Sequence, residues 1–230
     1  VFGVNPRALK SNEIDNLVEK FGKGAKRAKI AGFDAVEIHA AHGYLIQQFL
    51  SPYTNRRADK YGGNPDRRMT FALEILRCVR GEVGDCFPII FRLSAEEHVE
   101  GGLTLGDTRL IAQKLEKGGV DALHISSGMD ETPPEYCDVP TMAVPRGCFV
   151  RYAAAIKGLV DIPTITVGRI NDPLLAENIL QEGKADLIAM GRALIADPEL
   201  PKKASEGRID DIRKCIACNV CTMRIGNGFP

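Results

Sequence analysis

Apolar positions along this chain fall into two recurring arrangements. Three segments repeat the first: AGFDAVEIH (31–39), GGVDALHIS (118–126) and GKADLIAMG (183–191). In each, glycine closes a helical pattern, aspartate marks a turn, and a short apolar stretch of β type follows. The second, FPIIFRLS (87–94) and IPTITVGR (162–169), puts a proline at the first strand position, where a missing N–H is tolerated. Five strands are therefore expected, and their mostly apolar runs suit parallel strands buried on both faces. Helical periodicity precedes or separates them over Asn12–Ala31, Pro65–Arg80, Leu105–Lys117, Val150–Gly158 and Pro173–Gln181. Ser11 is placed to cap the first helix, with Glu13 and Asp15 near its positive end. Asn64 and Pro65 pair a capping residue with a proline suited to the first helical position.

Strand–helix alternation fits an open doubly wound sheet or a (β/α)8 TIM barrel. Polar side chains at the ends of successive strands favour the barrel: His39 and His42, Arg92, His124 and Ser126, Gly168 and Arg169, Gly191 and Arg192. A barrel needs eight strands. The chain opens on a loop and a helix, so about three βα units are expected upstream of it.

Composition narrows the function class. Thirty basic residues balance thirty acidic ones, so no net field draws nucleic acid or an anionic membrane. No apolar run approaches the roughly 18 residues of a spanning helix, and no export signal opens the chain, so a cytoplasmic protein without membrane or nucleic-acid partners is expected. Seven cysteines do not form a secreted disulfide framework; Cys78, Cys86, Cys137 and Cys148 are scattered and read as structural. Cys215, Cys218 and Cys221 are instead spaced C-x2-C-x2-C, a thiolate pattern suited to zinc or an iron–sulfur cluster, either of which usually takes four ligands. No linker divides residues 1–210, and 211–230 reads as the start of a cluster segment.

Two strands end alike, in TVGRI (166–170) and AMGRA (189–193). Glycine admits a phosphate to the backbone and arginine adds a charged fork, at a place where barrels often bind phosphate. The alternative is that each arginine caps a helix or pairs with an acid. In VEIHAAHGYL (36–45), His39 and His42 straddle a strand end. Read alone, they are metal ligands lacking a third partner, or imidazoles hydrogen-bonded to loops.

With AGFDAVEIHAAHGYLIQQFLSPYTNRRADKYGG, FRLS, TVGRI and MGRALIADPEL in order, the chain resembles the old yellow enzyme family of FMN-dependent barrel oxidoreductases. The resemblance makes the five strands the fourth to eighth of the barrel. It implies that His39 and His42 donate hydrogen bonds to the oxygen of an electron-poor alkene and that Tyr44 protonates its α-carbon. It also implies that Arg92 faces the flavin pyrimidine edge, while Gly168, Arg169, Gly191 and Arg192 hold the FMN phosphate. His98 and His124 carry no such match and are expected as loop or interior histidines.

IRKCIAC (212–218) resembles the iron–sulfur branch of that family, which includes 2,4-dienoyl-CoA reductase, 2-enoate reductase and bile-acid-inducible reductases. This implies a [4Fe–4S] cluster on Cys215, Cys218 and Cys221. A fourth cysteine is expected past Pro230, although a common spacing in the branch has one more residue before the third cysteine. The resemblance further implies NAD(P)H as electron source, usually through a C-terminal FAD domain.

The function expected is reduction of an activated C=C bond in a small-molecule substrate such as an enoate, enone or enoyl-CoA. Oxidative amine demethylation, as in trimethylamine dehydrogenase, is the alternative, and a noncatalytic barrel fragment binding phosphate or a partner is the third. A homo-oligomer is the assembly open to the full-length protein.

Overall fold

A computed structural model of the protein describes residues 7–226. In chain order the principal elements are α1 (Ser11–Ile30), β1 (Val36–Ala40), α2 (Leu45–Leu50), α3 (Pro65–Arg68), α4 (Thr70–Val83), β2 (Ile89–Ser94) and α5 (Leu105–Lys117). There follow β3 (Ala122–Ser126), α6 (Val150–Lys157), β4 (Thr164–Thr166), α7 (Pro173–Gln181), β5 (Leu187–Ile188), α8 (Arg192–Ala196), α9 (Leu200–Ser205) and α10 (Val220–Gly226). The strands form one parallel sheet in the order β1-β2-β3-β4-β5, each beside its predecessor. That consecutive order fits a barrel rather than a doubly wound sheet, whose strand order reverses.

The repeated aspartates and strand-opening prolines tie these units together. Asp121 Oδ2 accepts the Ile89 N–H at 2.7 Å, and Asp186 Oδ2 accepts the Thr164 N–H at 2.8 Å. Each aspartate thus binds the first N–H of the strand before its own, fixing the register. Pro88 and Pro163 lack a donor, but their carbonyls accept the N–H groups of Val36 at 3.1 Å and Leu123 at 3.0 Å.

Two helix starts differ from expectation. Lys10, not Ser11, occupies the N-cap of α1, because Glu13 reaches back to the Lys10 N–H at 2.8 Å while also binding Arg7. The periodicity over Pro65–Arg80 resolves into α3 and α4, separated by Met69. Asn64 does cap α3, accepting the Arg67 N–H at 2.9 Å. Arg68 turns inward, donating to the carbonyls of Leu50 at 2.9 Å and Gly63 at 2.7 Å.

Period-two alternation separates the faces of the sheet. Ile38, Phe91, Leu93, Leu123 and Ile125 join the buried apolar cluster that includes Phe71, Ile75, Leu76 and Ile156 of α4 and α6. Glu37, His39, Arg92 and His124 point to the other side. His39 is level with Arg92, and Arg92 with His124, so three cationic or titratable side chains form one row across β1, β2 and β3.

Candidate active site

The chain leaves β1 through a tight turn. His42 and Gly43 have φ of 60° and 75°, and Tyr44 precedes α2. A buried relay holds this turn: the Gly43 N–H donates to Gln47 Oε1 at 3.0 Å, and Gln47 Nε2 donates to Glu97 Oε1 at 2.6 Å. Glu97, fully buried, also accepts from Ser51 Oγ at 2.6 Å and the Leu103 N–H at 2.7 Å. The His42 N–H donates to Ser94 Oγ at 3.1 Å, and Ser94 donates to the Gly128 carbonyl at 2.7 Å.

The structure brings His39, His42 and Tyr44 together. The His39 ring lies edge-on to both others, at 5.0 Å between centroids in each case. The two histidines are not equivalent. His39 Nδ1 accepts the Ala41 N–H at 3.3 Å, which assigns the proton of the neutral ring to Nε2, a donor with no partner among the described residues. His42 Nε2 lies 2.8 Å from Ser126 Oγ, and its Nδ1 lies 3.6 Å from Asp138 Oδ2. Burial pushes the His42 imidazole down to about 3, with Arg92 adding to the effect. Burial and then Arg92 also lower His39, so both rings are neutral donors or acceptors near pH 7.

Sequence reasoning missed Glu37, Asp138 and the use made of Ser126 and His124. Glu37 Oε2 lies 2.7 Å from His124 Nδ1, and Glu37 Oε1 lies 4.0 Å from Arg92 Nη1. Burial raises the Glu37 carboxyl, but His124, Arg92 and His39 together hold it below its ordinary value. Burial, followed by Asp130, pushes Asp138 up. Glu37 was legible in principle, since VEIH puts it on the His39 face.

The two Gly-Arg pairs share the wall of one cavity of about 250 Å³, which also meets Asn171 and Cys215. A Cβ on Gly191 would meet nothing within 4 Å, whereas one on Gly168, at φ 112°, would meet the Phe149 ring at 2.6 Å. Gly191 thus leaves open space and Gly168 permits packing. The guanidinium of Arg169 donates to the Val144 carbonyl, and that of Arg192 to the Pro140 carbonyl at 2.8 Å. Arg92 Nε, Arg169 Nε and Asn171 Oδ1 are buried without a hydrogen-bond partner among the described residues. Two arginines at one open cavity, with Arg169 Nε and Asn171 Oδ1 unpartnered there, fit an anionic cofactor such as FMN.

The three clustered cysteines do not form a comparable set. No group of three or more His, Cys, Asp or Glu side chains is placed to hold a metal among the described residues. The backbone turns through positive φ at Ala217 and Asn219, and the Ala217 N–H donates to Cys215 Sγ at 3.4 Å. Cys218 is exposed, while Cys215 and Cys221 are half-buried. Among the described residues these three thiols are not drawn together as one ligand set. No helix among the described residues is long and apolar enough to cross a membrane.

Comparison with known proteins gives the same fold. The chain is 53% identical over 218 residues to the NADH oxidase of Thermoanaerobacter brockii, covering 95% of this chain and 33% of that protein. It is 37% identical to the cinnamate reductase of Clostridium sporogenes, covering 98% of this chain and 36% of that one. Among solved structures, 2-naphthoyl-CoA reductase superposes with a TM-score of 0.87 at 36% identity, over 93% of this chain and 32% of that one. Histamine dehydrogenase from Rhizobium sp. 4-9 gives 0.85 at 36% identity, over 95% and 31%. The chain therefore spans about a third of the length of these relatives. With a match over residues 2–211 and five consecutive strands of a (β/α)8 barrel, the chain belongs to the NADH:flavin oxidoreductase / NADH oxidase family.

Proposed function

We propose that this chain is part of an FMN-dependent enzyme that reduces an activated C=C bond with electrons from NAD(P)H. The observation that carries the reading is the Ala41 N–H on His39 Nδ1, which assigns the ring proton to Nε2 on a ring that lies beside Tyr44.

Bound FMN would supply the two-electron chemistry, exchanging hydride with the substrate β-carbon. Negative charge then builds on the substrate carbonyl or carboxylate oxygen, and a fixed neutral N–H at His39 stabilises it without first losing a proton. His42, held by Ser126, buttresses the His39 ring and offers a second polar edge to that oxygen. Tyr44, 60% exposed, is accessible to deliver a proton to the α-carbon. Arg92 supplies a fixed positive charge, which favours the anionic reduced form of a flavin. Arg169 and Arg192 supply donors for the phosphate, with Gly168 and Gly191 shaping the cavity.

A [4Fe–4S] cluster on Cys215, Cys218 and Cys221 rests on their spacing together with the resemblance of IRKCIAC to the iron–sulfur branch. Iron and sulfide analysis of the purified protein tests it directly. An FAD domain would lie in the part of the relatives that this chain does not span.

A second reading is oxidative amine demethylation. Asp138 supports it, because a carboxyl group 3.6 Å from His42 suits a cationic amine better than an anionic enoate. Anaerobic titration separates the two. If the protein is a reductase, NAD(P)H bleaches the flavin band and an enone or enoate restores it. Bleaching by an N-methyl amine, with no response to the alkenes, would replace the first reading with the second.

A further inference from the structure

Glu37, Arg92 and His124 form a charged group on the inner face of the sheet, beneath the site already described. Glu37 projects from β1, Arg92 from β2 and His124 from β3, and the carboxylate divides its two oxygens between the other two. Oε2 lies 2.7 Å from His124 Nδ1, and Oε1 lies 4.0 Å from Arg92 Nη1. Two buried nitrogens of this group have no hydrogen-bond partner among the described residues, Arg92 Nε and His124 Nε2.

Stability does not account for this group. Glu37 is exposed and Arg92 half-buried, and an ion pair so placed at 4.0 Å contributes little to stability, while the flanking positions Ile90 and Ile165 show that apolar residues are used on this face. The geometry has a different consequence. Glu37 is the one carboxylate in ion-pair contact with the Arg92 guanidinium among the described residues, and His124 determines where that carboxylate sits. Asp138 also acts on Arg92, from the loop after β3, but less strongly than Glu37. The effective charge that Arg92 presents is therefore set by the distance of Glu37 from it.

We propose that Glu37 and His124 are a positioning couple that tunes the positive field of Arg92 and, through it, the preference of the site for reduced over oxidised FMN. This rests on the reading of Arg92 as a flavin contact. The hydrogen bond to His124 draws the carboxylate away from the guanidinium and leaves part of the arginine charge uncompensated.

The test is the flavin midpoint potential in the FMN-loaded enzyme that carries this chain, with FMN affinity measured alongside. Glu37→Gln removes the countercharge and should raise the ratio of reduced to oxidised FMN affinity about tenfold, a positive shift of about 30 mV for a two-electron couple. His124→Leu frees the carboxylate to close on Arg92 and should shift the potential the other way. His124→Asn restores a donor near the Nδ1 position and should return the potential towards wild type. A loss of packing alone would not produce shifts of opposite sign. In an Arg92→Ala background the Glu37→Gln shift should shrink.

Unchanged potentials in Glu37→Gln and both His124 variants, with FMN bound and Arg92→Ala still shifted, would overturn the couple while leaving the flavin reading intact. Equal Glu37→Gln shifts in both backgrounds would overturn it too, since Glu37 would then act on the flavin independently of Arg92. If Arg92→Ala changes neither potential nor FMN affinity, the flavin reading fails and takes the proposal with it. Should Glu37→Gln not fold, the two His124 variants decide the question.

Discussion

Ser126 Oγ at the end of β3 lies 2.8 Å from His42 Nε2 in the turn after β1, spanning the strand between them. That contact occupies one imidazole nitrogen, while burial of the ring, with Arg92 adding to it, holds the His42 value well below the usual histidine range.

A pH dependence of stability follows. The folded value of His42 is lowered from 6.5 to about 3, so between those values the unfolded chain binds more protons than the folded one. Its contribution is fully present above about pH 6.5 and is lost as pH falls towards 3. Replacing it with Asn, which tolerates the positive φ at this position and does not titrate, should flatten that segment of the stability profile. Urea unfolding of both proteins at pH 4, 5, 6 and 7 checks this; parallel profiles would contradict it.

Glu97 should prove to be the anchor of the His39–Tyr44 turn. Glu97→Gln turns one acceptor into a donor facing Gln47, Ser51 and Leu103, leaving a buried donor unsatisfied at a cost of about 1–3 kcal/mol. Denaturant midpoints measure the loss. Activity should fall further than stability requires, because Gln47 also holds the Gly43 N–H.

The two glycines of the Gly-Arg pairs should separate. Gly168→Ala forces a Cβ against the Phe149 ring at a positive φ and should destabilise the fold. Gly191→Ala meets no neighbour and should fold normally while weakening FMN binding, if that space is where the phosphate is held. Thermal melts and FMN titrations of both variants check the contrast.

Much of this arrangement was legible in local patterns. The alternation visible in FRLS separates Phe91 and Leu93, which join the apolar cluster under the helices, from Arg92 on the other face, and the five strands match the repeats. What was not legible depended on contacts distant in sequence. Glu37 and His124 are 87 residues apart and meet only because a parallel sheet brings β1 and β3 to either side of β2. The approach of Asp138 to His42 depends on the path of a loop with no periodic pattern. Lys10 displaced Ser11 as the cap because Glu13 satisfied the Lys10 N–H, a choice that propensity alone does not make. The cysteines are a converse case: their spacing is regular, yet the described fold does not gather them.

The central claim is that His39 offers a fixed Nε2–H to the oxygen of an unsaturated substrate. It is tested most directly by single-turnover reoxidation of the reduced flavin by an enone or enoate, in the FMN-loaded enzyme that carries this chain. His39→Ala should retain FMN and be reduced by NAD(P)H at the wild-type rate, while reoxidation by the alkene slows by about 10²–10³-fold. Reoxidation at the wild-type rate, with FMN fully bound, would contradict the claim.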